Sequence, residues 1–307
     1  METKKFNSLI EFTDFFKDEK TCVEYFEQVR FRDGDYCPHC SHGKVNRYKD
    51  GKRYRCAGCK KDFTIKTNTV FGESKLPLRK WFMAIYLLTS SKKGISSIQL
   101  SKHLNVTQKT AWFMDQRIRK AMKQNNGQLF GTVEIDETYV GGKEKNKHWN
   151  KRTEGTRGRS TETKTAVLGI VKRGGDIKAH VLKDVKMRTL EKHIVDHIQI
   201  GSQLITDDFR SYAQIKKLFN HEVVRHGRGE YVRDGDIHSN TAESFWAIFK
   251  RGHYGTYHFM SKKHLQKYVD EFVYRYNGRV ADFEKLFDDM VEKVSQTEKL
   301  SYKLLTR

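Results

Sequence analysis

Four cysteines in "CPHCSHGKVNRYKDGKRYRCAGC" constrain this chain more than any other feature of its sequence. Cys37 and Cys40 form one CxxC pair and Cys56 and Cys59 a second, with 15 residues between the pairs. The opening "METKKFNSLIEFTDFF" lacks an apolar signal-peptide core and a small-residue cleavage site, so a cytoplasmic location is expected, where thiols stay reduced. Two thiolates from each of two tight turns complete a tetrahedron around one zinc ion and leave no open coordination position. The flanking "KVNRYKD", "KRYRC" and "KDFTI" read as short strands with a turn at Asp50-Gly51. Residues 31–66 are therefore expected to form a zinc ribbon; a redox CxxC pair is the alternative. Cys22 lies outside the pattern and is expected to be a buried thiol.

Charge identifies the partner. The net charge is +21, and it is unevenly spread. Residues 1–36, of which 1–30 read as a helical segment, hold six Lys/Arg against nine Asp/Glu, whereas residues 37–125 hold twenty against four. Concentration of the excess in under a third of the chain points to a nucleic-acid contact module rather than to diffuse solubility charge. No apolar run approaches membrane-spanning length. Within residues 67–125, "LRKWFMAIYLLTS" reads as a helix, followed by "SSIQLSKHL", a break at Asn105-Val106, and "TQKTAWFMDQRIRKAM" with Thr107 as N-cap. Two helices joined by a short turn suggest a helix-turn-helix, with Gln108, Lys109 and Thr110 facing base edges and Arg117, Arg119 and Lys120 touching phosphates. Trp112 and Phe113 are expected to be core. The polar "KQNNGQ" marks a domain boundary.

Beyond it the periodicity changes from helical to alternating. In "GTVEIDETYVGG", Val133 and Ile135 face one side and Glu134 and Asp136 the other. "TAVLGIVKR" and "DIKAHVLKD" read as two more strands, "RTLEKHIVDHIQ" as a helix, "SQLITDD" as a buried strand, "YAQIKKLF" as a short helix, "HEVVRH" as a strand, and "IHSNTAESFWAIFKRGHYGTYH" as a final helix. The order β-β-β-α-β-α-β-α over residues 126–280 is that of a ribonuclease H-like α/β domain with a mixed sheet. The chain is thus expected to be multidomain. Residues 281–307 read as an amphipathic C-terminal helix available for self-association.

Three acids fall where such a fold can join them: Asp136 on the first strand, Asp207 at the end of the fourth, and Glu243 near the start of the last helix. Strand ends of α/β sheets are where sites usually form. Carboxylates from distant sequence suit Mg²⁺ or Mn²⁺, and two such ions assist in-line displacement at a phosphodiester. Each acid has an ordinary reading as well. Asn240 followed three residues later by Glu243 matches a helix N-cap with its capping acid. On a helical wheel Ala242, Phe245, Trp246 and Phe249 share the apolar side, while Asn240, Glu243 and Lys250 share the other.

The double CxxC, "IDETYVGG", "TDDFRSY", "HSNTAESFWAIFKRGHYGTYH" and "YVDEFVYRYNGR" together resemble insertion-sequence transposases of the Asp-Asp-Glu type, in the zinc-ribbon-bearing ISXO-like group. The resemblance implies a DNA transposase that binds transposon ends, cuts there and transfers the strand to target DNA with Mg²⁺ or Mn²⁺. It implies catalytic roles for Asp136, Asp207 and Lys250, and a third ligand that is either Asn240 or Glu243. The full charge and two oxygens of a carboxylate favour Glu243. It also implies double-stranded DNA as partner, assembly as a dimer or larger complex on DNA, and residence in bacterial cytoplasm with the nucleoid. A structure-specific nuclease or resolvase would share the acids, and a non-catalytic regulator would use the ribbon and helix-turn-helix alone. Arg152, Arg157 and Arg159, in a Lys/Arg/Gly-rich loop, and Arg275 are further candidates for DNA contact; Arg275 also stands at salt-bridge spacing from Glu271.

Overall fold

The computed structural model describes all residues except 1–5, 7, 126, 143, 156–159, 213–214, 226–231, 234–235 and 307. The chain divides into two compact units, 1–122 with 280–307, and 123–279.

The first unit begins with α1 (Leu9–Phe15) and α2 (Glu19–Arg30), capped by Ser8 and Asp18 side chains that accept from the amides of Glu11 and Thr21. A three-stranded antiparallel sheet follows, of β1 (Val45–Arg47), β2 (Arg53–Cys56) and β3 (Asp62–Thr64). Asp50 sets its first turn by accepting from the amides of Lys52 and Arg53, and Gly51 supplies the positive φ that the turn needs. Then come α3 (Leu78–Ser90), α4 (Ser97–Leu104) and α5 (Gln108–Ala121). Asn105 ends α4 in the left-handed region at φ 48°, and Thr107 caps α5 through the amide of Thr110, so the turn between the helices is short.

The second unit is built on a five-stranded mixed sheet. Its strands are β4 (Thr132–Val140), β5 (Thr165–Lys172), β6 (Ile177–Val181), β7 (Gln203–Asp207) and β8 (Asn220–Val224), in the order β6-β5-β4-β7-β8. β4 runs antiparallel to β5 and parallel to β7, while β7 and β8 are parallel. Alternation gives the sheet two apolar faces. On one, Val133, Ile135, Leu168, Ile170 and Leu204 pack with Leu190 and Ile194 of α6 (Met187–His197). On the other, Val167, Val171 and Ala179 pack with α7 (Asn240–Gly252) and α8 (Leu265–Asn277). The expected order of elements is present, with two local differences. "YAQIKKLF" contains a 3₁₀ turn at Ile215–Lys217 rather than an α-helix, and α7 continues into a π-helical turn, His253–Tyr257. Among the described residues, no helix is long and apolar enough to cross a membrane.

The C-terminal segment departs from expectation. α9 (Phe283–Gln296) does not stand apart with a free apolar face: its Phe287, Met290, Val291 and Val294 are fully buried in the first unit, where Phe287 meets Phe6, Phe12, Phe16 and Phe82. The face read as available for self-association is spent on the chain's own core. α10 (Tyr302–Thr306) closes the chain beside α5, with Tyr302 edge-on to Phe113.

Candidate functional site

In the first unit the four expected thiols converge, with all four sulfur atoms within 4.8 Å of one another. Cys37 lies 3.7 Å from Cys59, and Cys40 lies 3.6 Å from Cys56. Backbone amides of Gly58 and Cys59 donate to the Cys56 sulfur, and that of His39 to the Cys37 sulfur. Against the upward push of burial, these amides and the neighbouring thiols hold Cys56 at about 6. Four clustered sulfurs with amide donors fit a tetrahedral structural zinc, and nothing in the cluster leaves room for substrate. Cys22 is buried elsewhere, and burial pushes its thiol up to about 12.

In the second unit, Ile135 and Thr206 are the last pair of the parallel β4–β7 ladder, so Asp136, midway along β4, and Asp207, at the carboxyl end of β7, follow side by side where the two strands part. Their carboxylates and that of Glu137 lie within 4.8 Å of one another. Burial, and then the charge of Asp207, push the Asp136 carboxyl up to about 6; Glu243 pushes the same way and Lys250 opposes. Glu243 and Lys250 of α7 are thus near enough for their charges to act on Asp136, but the tight cluster contains Glu137 in the place sequence reading gave to Glu243. Glu137 is held by the Tyr212 hydroxyl, which donates to it. Strand alternation assigns it to the opposite face, but beyond the last β4–β7 pair the two neighbouring acids reach the same space.

α7 is seated by its apolar stripe, with Ala242, Phe245, Trp246 and Phe249 buried and Asn240, Glu243 and Lys250 exposed, as the helical wheel requires. Gly169 lies opposite Asp136 in the β4–β5 ladder, and a Cβ there would stand 2.6 Å from the Trp246 ring. The missing side chain lets the indole lie against the strand beside the acids.

The capping-box reading of α7 is corrected. Ser239 is the N-cap residue and makes no side-chain cap bond, which puts Asn240 first in the helix and Glu243 fourth, outside the capping-box position. Glu134, fully buried on β4, provides the cap instead: one oxygen accepts from the amides of Thr241 (2.8 Å) and Ala242 (3.0 Å), the other from the Thr241 hydroxyl (2.9 Å) and Arg173 (3.0 Å). Sequence reading placed Glu134 on the same face as Asp136 and gave it no role. The signal was an acid near the start of a strand flanked by the apolar Val133 and Ile135, since a carboxylate buried there must find partners.

Candidate DNA-contact residues separate into two groups. Gln108 and Lys109 are exposed at the start of α5, and Thr110 is half-buried there. Arg117 and Arg119 are not phosphate contacts, since both are buried: Arg117 donates to the carbonyls of Val70, Gly72 and Leu300, and Arg119 lies beside Asp115. Lys120 donates to the carbonyl of Glu298. Arg275 is likewise buried and paired with Glu271, which also accepts from the Tyr257 hydroxyl, so it too leaves the DNA surface. The described part of the basic loop is ordered by its own bonds: Arg152 donates to the carbonyls of Lys145 and Lys147, and Glu144 accepts from the Thr153 amide. Arg157 and Arg159 lie outside the described residues.

Comparison with known proteins gives a consistent placement. Residues 128–277 match the ISXO2-like transposase domain, and residues 17–62 match the transposase zinc-ribbon domain. A protein of Halobacterium salinarum described as an uncharacterized protein in transposable element ISH50 is 36% identical over 278 residues, covering 85% of this chain and 91% of the relative. Among solved structures, the Mos1 strand transfer complex is 14% identical, covering 70% of this chain and 75% of that one, at a TM-score of 0.28. A pre-cleavage Mos1 transpososome gives 14% and 0.27 over the same shares. Likeness at that level adds nothing to the argument.

Proposed function

The chain belongs to the ISXO2-like transposase family, and from that premise we propose that it binds the ends of a mobile element and catalyses divalent-metal-dependent DNA cleavage and strand transfer. The observation that carries the reading is the carboxylate cluster where β4 and β7 part, with Glu243 and Lys250 of α7 near enough for their charges to act on Asp136. We read the second unit as ribonuclease H-like, supported by its strand order and single antiparallel inner strand. α4 and α5 are read as a helix-turn-helix, supported by the short left-handed turn between them.

Asp136, Asp207 and Glu243 would hold Mg²⁺ or Mn²⁺, hard cations that suit carboxylate oxygens. When bound, two such ions polarise the scissile phosphate and favour both the attacking and the leaving oxygen. Asp136 resists ionisation in its buried place, so it binds a cation in competition with a proton. Glu137, fixed by Tyr212, adds negative potential without leaving its hydrogen bond. Lys250, exposed on the same helix face as Glu243, is placed to meet a DNA phosphate beside the scissile bond. Gln108, Lys109 and Thr110 read base edges, while the lysines of the 144–151 loop meet the backbone. The four cysteines hold structural zinc. Assembly of two or more copies on DNA belongs to this reading.

The test is cleavage of a duplex carrying the DNA that flanks the coding sequence. Mg²⁺ or Mn²⁺ should support it and Ca²⁺ should not, and Asp136→Asn and Asp207→Asn should abolish it while DNA binding persists. Glu243→Gln should lose cleavage and Asn240→Asp retain it. An active Glu243→Gln beside an inactive, stably folded Asn240→Ala would make Asn240 the third ligand, and cleavage without joining would identify a nuclease.

A further inference from the structure

We propose that Glu134 is a positioning residue: its carboxylate, locked by Arg173, ties the first turn of α7 to β4 and thereby fixes Glu243 opposite Asp136. The tie is built from named bonds. Glu134 is fully buried, and its two oxygens receive four hydrogen bonds, from the Thr241 amide and hydroxyl, the Ala242 amide and the Arg173 guanidinium. These occupy the acceptor sites of a carboxylate and satisfy two amides that a helix start otherwise leaves unpaired. The negative charge also suits the positive end of the helix.

Arg173 makes the tie rigid. It follows β5, bonded through its amide to the Thr132 carbonyl at the start of β4. Its guanidinium reaches the Asp236 carbonyl and carboxylate, both at 2.7 Å, and the His238 carbonyl at 3.0 Å. One side chain therefore holds the segment entering α7 as well as the carboxylate that caps it. Along the chain, Glu134 is two residues from Asp136 on the same strand face, and its partner Ala242 is next to Glu243. A second tie, Trp246 over Gly169, joins α7 to β5 one turn farther on, so the clamp is what couples the first turn of α7 to β4 itself. A carboxylate buried with its charge fully matched is a costly arrangement for capping alone, since an exposed Ser or Asp at the N-cap would serve. Placing it on β4 makes the helix register follow the strand that carries Asp136.

The consequence for metal binding rests on the reading given above; the clamp itself does not. Glu134→Gln, in the full-length protein, should speed amide exchange in residues 238–246 at least about tenfold while leaving exchange in β7 unchanged. In an electron paramagnetic resonance titration it should weaken Mn²⁺ binding by about 10- to 100-fold, the usual cost of losing a group that orients a ligand. Glu134→Asp, which keeps the charge, should recover part of both. Unchanged exchange in 238–246 overturns the clamp whatever the metal does. Faster exchange with wild-type Mn²⁺ affinity overturns the positioning role. Should Glu134→Gln fail to fold, Arg173→Gln, at the rim of the network, is expected to give the same two changes at smaller size, and their absence overturns the proposal. If Asp136→Asn binds Mn²⁺ as tightly as wild type, the proposed function fails and the positioning role with it, while the exchange result still decides the clamp.

Discussion

Two clusters of anionic ligands, one in each unit, are built on opposite principles. The four cysteines come from two turns of one short segment, and the cluster they form with Tyr54 and Phe63 is small. The clustered carboxylates come from β4 and β7, strands far apart in sequence, and rest on two apolar cores. In the ribbon, ligand and fold are the same thing. In the second unit the fold comes first and forces like charges together, leaving Asp136 hard to ionise. The ribbon therefore draws its stability from a metal, whereas the second unit gives up stability to bring its acids together.

The largest effect that comparison predicts is in the ribbon. Structural zinc contributes on the order of 10–16 kcal/mol in small zinc modules, so chelation or Cys56→Ser should unfold residues 37–66 outright. Metal analysis should find one zinc per chain, and exchange in β4 and β5 should not change; loss of both units together would break the contrast.

The second effect has the opposite sign. With a folded value of about 6 against 3.8, Asp136 disfavours the folded state above about pH 6 and stops doing so below about pH 3.8. Asp136→Asn should therefore stabilise the metal-free second unit at pH 7, by up to about 3 kcal/mol, while abolishing cleavage. Its melting transition at pH 7 and pH 4 measures this, and equal destabilisation at both would be inconsistent with strain at the acids.

Gly169→Ala comes third. With Trp246 2.6 Å from the added carbon, α7 must lift or the indole must turn, at about 1–3 kcal/mol. Denaturant titration should report the loss, and Mn²⁺ affinity should fall with it because α7 carries Glu243.

A pH effect of the opposite direction separates the acids from a histidine stack on β6 and α6. His180 of β6 lies against His193 and His197 of α6, with ring centres 5.3 and 4.1 Å away. Burial, and then the charges of His197, His193 and Lys178, hold His180 down to about 3. The unfolded chain binds that proton below about pH 6.5, so this contribution lowers stability as pH falls from about 6.5 toward 3. His180→Leu in the Asp136→Asn background should flatten the pH dependence of unfolding, and an unaltered slope would remove the stack from the account.

Legibility in the sequence followed the same division. The ribbon was readable because its ligands are close in sequence and their spacing alone implies the geometry. The strand order was readable from alternation, and the buried stripe of α7 from its helical period. What sequence could not show was which polar groups meet across elements. Glu134 and Glu137 differ from Asp136 by one or two positions and share its chemistry, yet one caps a helix, one bonds Tyr212 and one faces α7. Arg117, Arg119 and Arg275 had the charge of DNA contacts, but their aliphatic stems sit in cores where carbonyls and acids satisfy their heads. Asn240 and Glu243 fitted a capping pattern that a carboxylate from a distant strand had already made unnecessary.

The proposed function stands or falls on a divalent cation at Asp136 and Asp207. Crystals of the full-length protein grown with Mn²⁺, measured at the manganese absorption edge, test it most directly. An anomalous peak is expected about 2.1 Å from carboxylate oxygens of both Asp136 and Asp207, and separate from zinc at the four cysteines. Manganese absent from Asp136 and Asp207 at saturating concentration would contradict it.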